Sequence, residues 1–496
     1  MLAAAILASG MAFIDTSVVN VALPTLQRAL GANGPAMQWV VNAYTLTLGA
    51  LILLGGAAGD RFGRRRVFLC GIALFAAASL ACGAAPGVAT LIAARLVQGV
   101  GGALMVPQSL ALIAAVFPSE ARARAIGTWA AAAALTTAAG PPLGGWLMQA
   151  FSWRAVFLIN LPLAAVAAWL TLARVPESRD PQSAPLDWLG GALVTAGLGA
   201  LTWSAIAAAR RGMPALAVAA GAAAGLALLA AFVAHEARTA HPMVPLRLFR
   251  SADFCGANLA TLLLYGGLSG TMFLLPFALI RLRGDSGVEA GASFLPLLLL
   301  LGLLSRATGA LSRRTGPLPP LVVGPALAAA GFAALGFAAS PSVPYWRGLL
   351  PAMAVLGLGM AVTIPPLTTA ALDAVEDRLS GTASGVNNAV ARVAGLLAVA
   401  VLGAAALLAQ SHRLEHTLTA QGASDQLRAM VTASAASFAA VALPPGTSNA
   451  DAAMVEAAVR GAFLATFRDV GLACAGLALA ASLCAFLTIT KPPRPH

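Results

Sequence analysis

The sequence predicts an all-α integral membrane protein with fourteen transmembrane helices. Of its 496 residues, 59% are hydrophobic and only 10% are charged, whereas a soluble domain carries roughly 25% charged residues. A soluble core could not bury this much apolar surface, so most of the chain is expected to lie in lipid. We expect helices, because a helix satisfies its own backbone hydrogen bonds where no water is present.

Apolar stretches that approach the length needed to cross the hydrocarbon layer, about 20 residues, define the spans in order. The predicted spans are 2–24, 37–58, 67–85, 88–115, 125–149, 154–173, 187–209, 214–235, 254–279, 289–311, 319–339, 347–371, 381–409 and 465–489. The first span could be confused with a signal peptide. It lacks a basic n-region, and Asp15 and Asn20 interrupt its apolar run, so we expect it to be retained.

The basic residues are concentrated in loops on the side of the N-terminus. Because Lys and Arg favour cytoplasmic loops, this predicts a multi-pass protein of the cell (inner or plasma) membrane with both termini in the cytoplasm. Residues 411–460 then form a long outer loop, in which the run 427–443 is predicted to be an interfacial helix. The net charge of +12 is explained by loop arginines, so no nucleic-acid partner is expected.

Three sequence patterns occur twice, in the same order and at nearly the same offset. The pairs are Gly56-x3-Asp60-Arg61-x-Gly63 with Gly309-x3-Arg313-Arg314-x-Gly316, Gly99-x-Gly101-x5-Pro107 with Gly357-x-Gly359-x5-Pro365, and Arg124-x2-Gly127-Thr128 with Arg378-x2-Gly381-Thr382. They predict two six-helix halves related by a parallel repeat, residues 1–173 and 254–496. Two inserted helices with flanking cytoplasmic loops occupy 174–253. Such repeats place a transporter's substrate site between the halves.

Asp15 is an acid within the first span, where a charge is costly and usually functional. Arg95 in span 4 stays protonated and needs a partner or water. At a rise of 1.5 Å per residue, both residues lie roughly 10 Å from the same membrane surface. An ion pair between them is therefore geometrically allowed, and a purely structural pair remains the alternative to a functional one.

The loop after span 2 combines glycines, one acid and several arginines. Its motif residues are Gly56, Asp60, Arg61, Gly63, Arg64 and Arg65. Bonds between such groups can exist in one conformation and break in another, and Asp60 could face a helix N-terminus of the other half. A positive-inside anchor would account for the arginines but not for the Gly/Asp spacing. We therefore interpret this loop as a conformational switch.

Two further groups of residues are candidates. Span 5 carries the glycines and proline of a kinked packing helix, and they are Gly127, Gly140, Pro141 and Gly144. Polar side chains within spans are candidates to line a cavity, and these are Asn20, Asn42, Gln98, Asn160, Asn387, Asn388 and Arg392.

Several functional classes are disfavoured. The five cysteines form no CxxC pair, so neither a disulfide framework nor a metal site is expected. A membrane enzyme would need clustered acids or histidines at one face, and a membrane sensor would need a sizeable soluble domain. The sequence favours a transporter without a cofactor and without an obligate protein partner.

The chain resembles the major facilitator superfamily and, within it, the fourteen-span drug/proton antiporters of the multidrug efflux type. The matching residues are Asp60-Arg61-x-Gly63-Arg64-Arg65, Arg95 with Gln98-Gly99, Asp15-Thr16-x-Val18-Val19-Asn20-Val21-Ala22-Leu23-Pro24, and Trp153-Arg154…Phe157…Asn160-x-Pro162. Span 5 is similar to the antiporter motif at Gly140-Pro141. It departs from that motif at Thr136, where the family pattern has glycine.

The resemblance implies export of amphipathic, drug-like small molecules in exchange for protons, by alternating access. Asp15 and Arg95 would then be the proton-coupling residues, because burial favours a neutral acid whereas a neighbouring cation favours the carboxylate. The implied partners are the small-molecule substrate, protons and membrane lipid. Proton-coupled uptake or metabolite export on the same fold, or a non-transporting membrane sensor, are the alternatives.

Overall fold

The computed structural model describes residues 1–180, 185–210, 212–376, 379–434, 438 and 447–489. Every regular element within these ranges is a helix. The α-helices are α1 (Leu2–Ala29), α2 (Gly34–Phe62), α3 (Arg64–Gly83), α4 (Val88–Val116), α5 (Ser119–Ala150), α6 (Ala155–Leu158), α7 (Asn160–Arg174), α8 (Trp188–Ala208), α9 (Ala215–Glu236), α10 (Ala252–Phe277), α11 (Gly287–Ala292), α12 (Leu295–Thr315), α13 (Leu318–Ala338), α14 (Leu349–Asp373), α15 (Ser380–Ala420), α16 (Asp425–Ser434) and α17 (Asn449–Thr488).

Each predicted span coincides with one helix or with two consecutive helices, which confirms the all-α membrane fold. In the described ranges, thirteen helical segments are long and apolar enough to cross a membrane. Helix α5 is 32 residues long but is not among them, because its threonines, prolines and charged N-terminus dilute its apolar residues. The predicted spans 154–173 and 289–311 are each formed by two helices, α6–α7 and α11–α12.

Matching glycines pack in the same way in the two halves. A Cβ on Gly101 of α4 would lie 2.6 Å from the Phe75 nitrogen of α3, and one on Gly359 of α14 would lie 2.3 Å from the Ala328 nitrogen of α13. Gly99 and Gly357, two positions earlier in each pattern, contact α2 and α12, respectively, with similarly short distances. These backbone contacts agree with the parallel repeat that the sequence patterns predict.

Helices α2, α3 and α4 are joined by contacts that leave no room for a side chain. A Cβ on Gly55 would lie 2.0 Å from the carbonyl oxygen of Ala103, and one on Gly71 would lie 2.8 Å from the nitrogen of Met105. Small residues of this kind let helix backbones approach closely. The three helices therefore pack as one tightly joined unit.

Helix ends fall on two faces of the bundle, because consecutive spans run in opposite directions. We name them the Asp60 face, which contains the junction of α2 and α3, and the Asn33 face, which contains the junction of α1 and α2. Inserted helix α8 packs against α2, where Gly191 lies beside Leu54, while α9 is largely exposed. The linkers on either side of this pair lie on the Asp60 face.

The two halves touch on the Asn33 face. A Cβ on Gly145 of α5 would lie 2.1 Å from the carbonyl oxygen of Gly287 in α11, and one on Gly291 would lie 2.2 Å from that of Pro141. The side-chain amide of Gln38 in α2 donates to the Val399 carbonyl in α15 at 2.8 Å. The first two contacts join α5 to α11, so this face is closed.

On the Asp60 face, by contrast, a cavity of about 920 Å³ lies between α2, the N-terminal end of α15 and the linkers of the inserted helices. It is lined on one side by Leu53 and Asp60 of α2 and on the other by Gly381 and Thr382 of α15. The halves are thus in backbone contact at the Asn33 face, whereas at the Asp60 face a cavity separates the ends of α2 and α15, whose contact begins deeper, at Leu53 and Gly385.

The predicted outer loop 411–460 is largely helical where the structure describes it. Helix α15 continues to Ala420 and α17 begins at Asn449, with α16 between them. Leu414, Val431 and Val459 bury a small separate core there. Hydropathy detects only the apolar part of a helix, so the sequence predicts a loop where these polar helical extensions lie. Helix α16 covers the first part of the predicted interfacial helix 427–443, of which 435–437 and 439–443 lie outside the described residues.

Candidate functional site

Asp15 of α1 and Arg95 of α4 form an ion pair in the interior of the first half. The Arg95 Nη1 group contacts Asp15 Oδ2 directly. Asp15 has no exposed surface and Arg95 only 1%, so neither charge is solvated in this conformation. The structure thus brings together the two residues whose depths in the membrane were predicted to match.

Two amide side chains complete the shell around Asp15. Gln98 donates to Asp15 Oδ1 at 2.8 Å and accepts from Arg95 Nη1 at 2.7 Å, while Asn160 of α7 donates to Asp15 Oδ1 at 3.3 Å. Both amides also donate to the Ser79 hydroxyl. Gln98 and Asn160 were predicted to line a cavity, but both are fully buried and bind the carboxylate instead.

Arg95 is stabilised by two further groups that the sequence did not indicate. Its Nε donates to the Val40 carbonyl of α2 at 3.1 Å, and its guanidinium lies 4.3 Å from the centre of the Tyr44 ring. A buried charge pair is tolerated only when its remaining hydrogen-bonding groups are also satisfied. Besides Asp15, only Gln98 could have been predicted from the sequence to contact Arg95, because a residue three positions later lies on the same helix face.

The remaining polar candidates occupy different environments. Asn387 of α15 is buried and donates to Asn258 and Thr261 of α10 at 3.2 and 2.9 Å. Asn388 is exposed and donates to a carbonyl of its own helix. Arg392 is half-buried and packs against Gly49 of α2, where an added Cβ would lie 2.9 Å from the Arg392 Cβ.

Two candidates from the first half also differ from each other. Asn20 is half-buried. Asn42 is fully buried, and neither of its amide atoms has a hydrogen-bond partner among the described residues. Because buried polar groups are nearly always paired, Asn42 is a position where a bound molecule or water would be stabilised.

The loop motif is folded back on its own half. Asp60 pairs with Arg64 at 2.7 Å, and Gly63 has a φ of +107°, a conformation that favours glycine. The Gln108 amide donates to the Gly55 carbonyl at 2.8 Å. In this conformation, Asp60 faces the cavity opposite α15 rather than contacting it.

Glu177, which the sequence did not single out, caps the N-terminus of α3. Its carboxylate accepts from the backbone nitrogens of Arg65 and Arg66 at 3.0 and 3.3 Å. Next to it, the Arg64 nitrogen donates to the Ser178 carbonyl at 2.8 Å. A carboxylate is favourable there because the first helix nitrogens lack partners and the helix dipole is positive. The linker after α7 thereby holds the switch loop.

Replacing Glu177 with Ala is expected to loosen this loop and to lower stability by about 1 kcal/mol, as for other lost helix caps. Glu177→Gln keeps an oxygen acceptor and should lose less than half as much. Melting temperatures of the purified protein in detergent measure both effects. Equal melting temperatures for Glu177→Ala and the wild type would contradict the capping role.

Helix α5 lies against α1 through the residues of its predicted motif. A Cβ on Gly140 would collide with Ser17, and one on Gly144 would lie 2.8 Å from Val18. Thr136, which stands where the family pattern has glycine, packs against Gly10 of α1. Gly127 lies at the Asp60-face end of α5, and a Cβ there would meet none of the described residues within 4 Å.

Comparison with known proteins places this geometry in context. Residues 5–399 match the family described as the Major Facilitator Superfamily. The multidrug resistance protein Stp of Mycobacterium tuberculosis is 35% identical over 79% of this chain and 73% of its own length. The methylenomycin A resistance protein of Streptomyces coelicolor is 35% identical over 79% of this chain and 82% of its own length.

Among solved structures, the fold is similar to that of a bacterial homolog of the human lysosomal transporter Spinster in an inward-facing and occupied conformation. The TM-score is 0.67 at 16% identity, with 100% of this chain and 98% of the other covered. This likeness supports the arrangement of the helices.

Proposed function

Because the chain belongs to the Major Facilitator Superfamily, we propose that it is a secondary active transporter that exports amphipathic small molecules in exchange for protons. Its relatives include proteins named for multidrug and methylenomycin A resistance, which supports export. The observation that carries proton coupling is the fully buried Asp15–Arg95 pair. Apolar residues could replace a purely structural ion pair at little cost in stability. A buried carboxylate can in addition bind and release a proton, which apolar residues cannot do.

Protonation of Asp15 would change the whole shell. The neutral acid no longer attracts Arg95, and Gln98 and Asn160 lose an ionised acceptor. Because these partners lie on α4 and α7, the change acts on contacts between α1 and its neighbours. A proton bound here thereby favours one packing of the first half over another, which is the differential interaction that a two-state transporter requires.

The switch loop supplies the second element of the mechanism. In the open state Asp60 pairs with Arg64 and faces the N-terminal end of α15 across the cavity. When the Asp60 face closes, this end of α15 comes within reach of Asp60, and the helix dipole favours a carboxylate there. Asp60 thus exchanges one partner for another between the two states.

With the Asp60 face on the cytoplasmic side, as the arginine distribution predicts, the described conformation is the one that loads substrate from the cytoplasm or inner leaflet. Protons then enter down the membrane potential, which supplies ~2.3 kcal/mol per charge per 100 mV. Asn42, Asn387 and Arg392 are the candidate contacts for substrate between the halves.

Inverted membrane vesicles test this function directly. With an imposed proton gradient, wild-type vesicles should accumulate a fluorescent amphipathic substrate, and substrate addition should release protons. A protonophore should abolish both signals, and Asp15→Asn should lack the proton response. If Asp15→Asn accumulates substrate with an intact proton response, the coupling role of Asp15 is wrong.

The same vesicles separate export from proton-coupled uptake on this fold. An exporter moves substrate into inverted vesicles against protons leaving them. An uptake symporter moves both in the same direction, so substrate addition would alkalinise the medium instead of acidifying it.

A further inference from the structure

A second group of ionisable residues lies at the Asp60-face ends of the inserted helices, far along the chain from Asp15. Asp187 precedes α8, and Glu236 ends α9. Asp187 Oδ1 accepts from the Gly190 nitrogen and contacts His235 Nε2, both at 2.8 Å. Glu236 Oε2 accepts from the Val244 nitrogen at 2.7 Å. One oxygen of each carboxyl group is therefore already hydrogen-bonded to other residues.

The other two oxygens face each other. Glu236 is 3% exposed and the Asp187 side chain 8%, and both Glu236 Oε1 and Asp187 Oδ2 are buried without a donor among the residues that the structure describes. Both oxygens lie within 3.0 Å of the position that a Cβ on Gly190 would occupy, so they share one small space. Two ionised carboxylates can only accept hydrogen bonds and would repel each other.

We propose that Asp187 and Glu236 share one proton and form a proton-binding site that holds the two linkers of the inserted helices together. A proton between Oε1 and Oδ2 satisfies both orphan oxygens with one hydrogen bond. Asp187 has more donors than Glu236, so Asp187 keeps the negative charge and Glu236 keeps the proton. The ligand of this site is a proton from the solution at the Asp60 face.

The site joins the parts of the chain that connect the two halves. The linker before Asp187 is fixed to the switch loop, since the Asp180 nitrogen donates to the Asp60 carbonyl at 2.9 Å. The linker after Glu236 leads through Val244 to α10 of the second half. Loss of the proton places two charges face to face and separates these linkers. Other ionisable groups lining the adjoining cavity are Asp60, Asp180, His241 and Arg247.

Infrared difference spectroscopy of the reconstituted full chain tests the shared proton. Above about pH 6, exposed Asp and Glu carboxyls are ionised, so a protonated carboxyl band that disappears on further alkalinisation marks a buried acid. The band should be lost in Glu236→Gln and retained in the control Glu456→Gln, whose side chain is 73% exposed. It should also be retained in Asp15→Asn, which separates this proposal from the function proposed above.

Stability gives a second measurement, because Glu236→Gln carries an amide donor in place of the shared proton and should fold. The native wild type binds a proton that the unfolded chain does not, so its melting temperature should fall as pH rises. In Glu236→Gln this slope should become smaller. The infrared band separates carboxyl titration from that of His235. A wild type without the band, or a band that persists when Glu236→Gln is combined with Asp15→Asn, would overturn the proposal.

Discussion

A double variant, Asp15→Asn with Arg95→Gln, is expected to fold and reach the membrane but to accumulate no substrate against a gradient. Each single variant leaves one charge buried without its partner, which costs about 3–5 kcal/mol. Removing both charges relieves most of that cost, because Gln98, Asn160 and the replacement amides can still hydrogen-bond. Proton-coupled transport has no ionisable group left at this position, so it does not recover with stability.

Melting temperature and transport, measured on all three variants, separate the two roles of the pair. The expected pattern is low stability in Asp15→Asn and Arg95→Gln, near-normal stability in the double variant, and loss of accumulation in every case. Downhill substrate movement through the double variant serves as a control for folding. Uphill accumulation by the double variant would show that the pair is purely structural and that another group carries the proton.

Replacing Gly145 with Val is expected to open the Asn33 face. A Cβ there would lie 2.1 Å from the backbone carbonyl oxygen of Gly287, and backbone cannot move aside as a flexible side chain can. Overpacking of this kind costs about 1–3 kcal/mol, which changes the ratio of two conformations by roughly 5- to 150-fold. Because each cycle must pass through the closed Asn33 face, transport should fall by a comparable factor.

Spin labels in a cysteine-free background measure this shift. Exposed positions Ser152 and Ser342 report the distance across the Asn33 face, while Val116 and Thr315 report the Asp60 face. In Gly145→Val, the first distance should lengthen and the second should shorten.

Gly127→Val is the matched control for these distances. It makes the same substitution in the same helix at a site where an added Cβ comes within 4 Å of no other described residue, so both distances should match those of the wild type. Unchanged distances in Gly145→Val would mean that this contact does not determine which face is closed.

The spans and the Asp15–Arg95 contact could be predicted from the sequence for one physical reason. Both depend on distance along a helix, which the number of residues fixes at 1.5 Å each. Apolar length located the membrane segments, and depth counting placed two charges at one level. Rotation of each helix about its axis was not readable in this way, so Asn160 was assigned to a cavity although it binds Asp15.

The contacts that were missed depend on how separate helices pack. Val40 contributes a backbone carbonyl and Tyr44 a ring face to Arg95, and neither group differs in sequence from those of an ordinary packing residue. Glu177 caps a helix more than one hundred positions earlier in the chain. The helical extensions of α15 and α17 were missed because polar residues within a helix carry no hydropathy signal.

The backbone contacts among α2, α3 and α4 have a consequence for how motion is measured and transmitted. Three helices that touch through glycines, at Gly55, Gly71 and Gly101, have no side-chain layer in which to slide. A displacement of one of these helices therefore moves α2, α3 and α4 together as a rigid body. Spin labels on any of these three helices should therefore report the same motion. Substituting one of the three glycines should broaden the distance distributions of all of these labels.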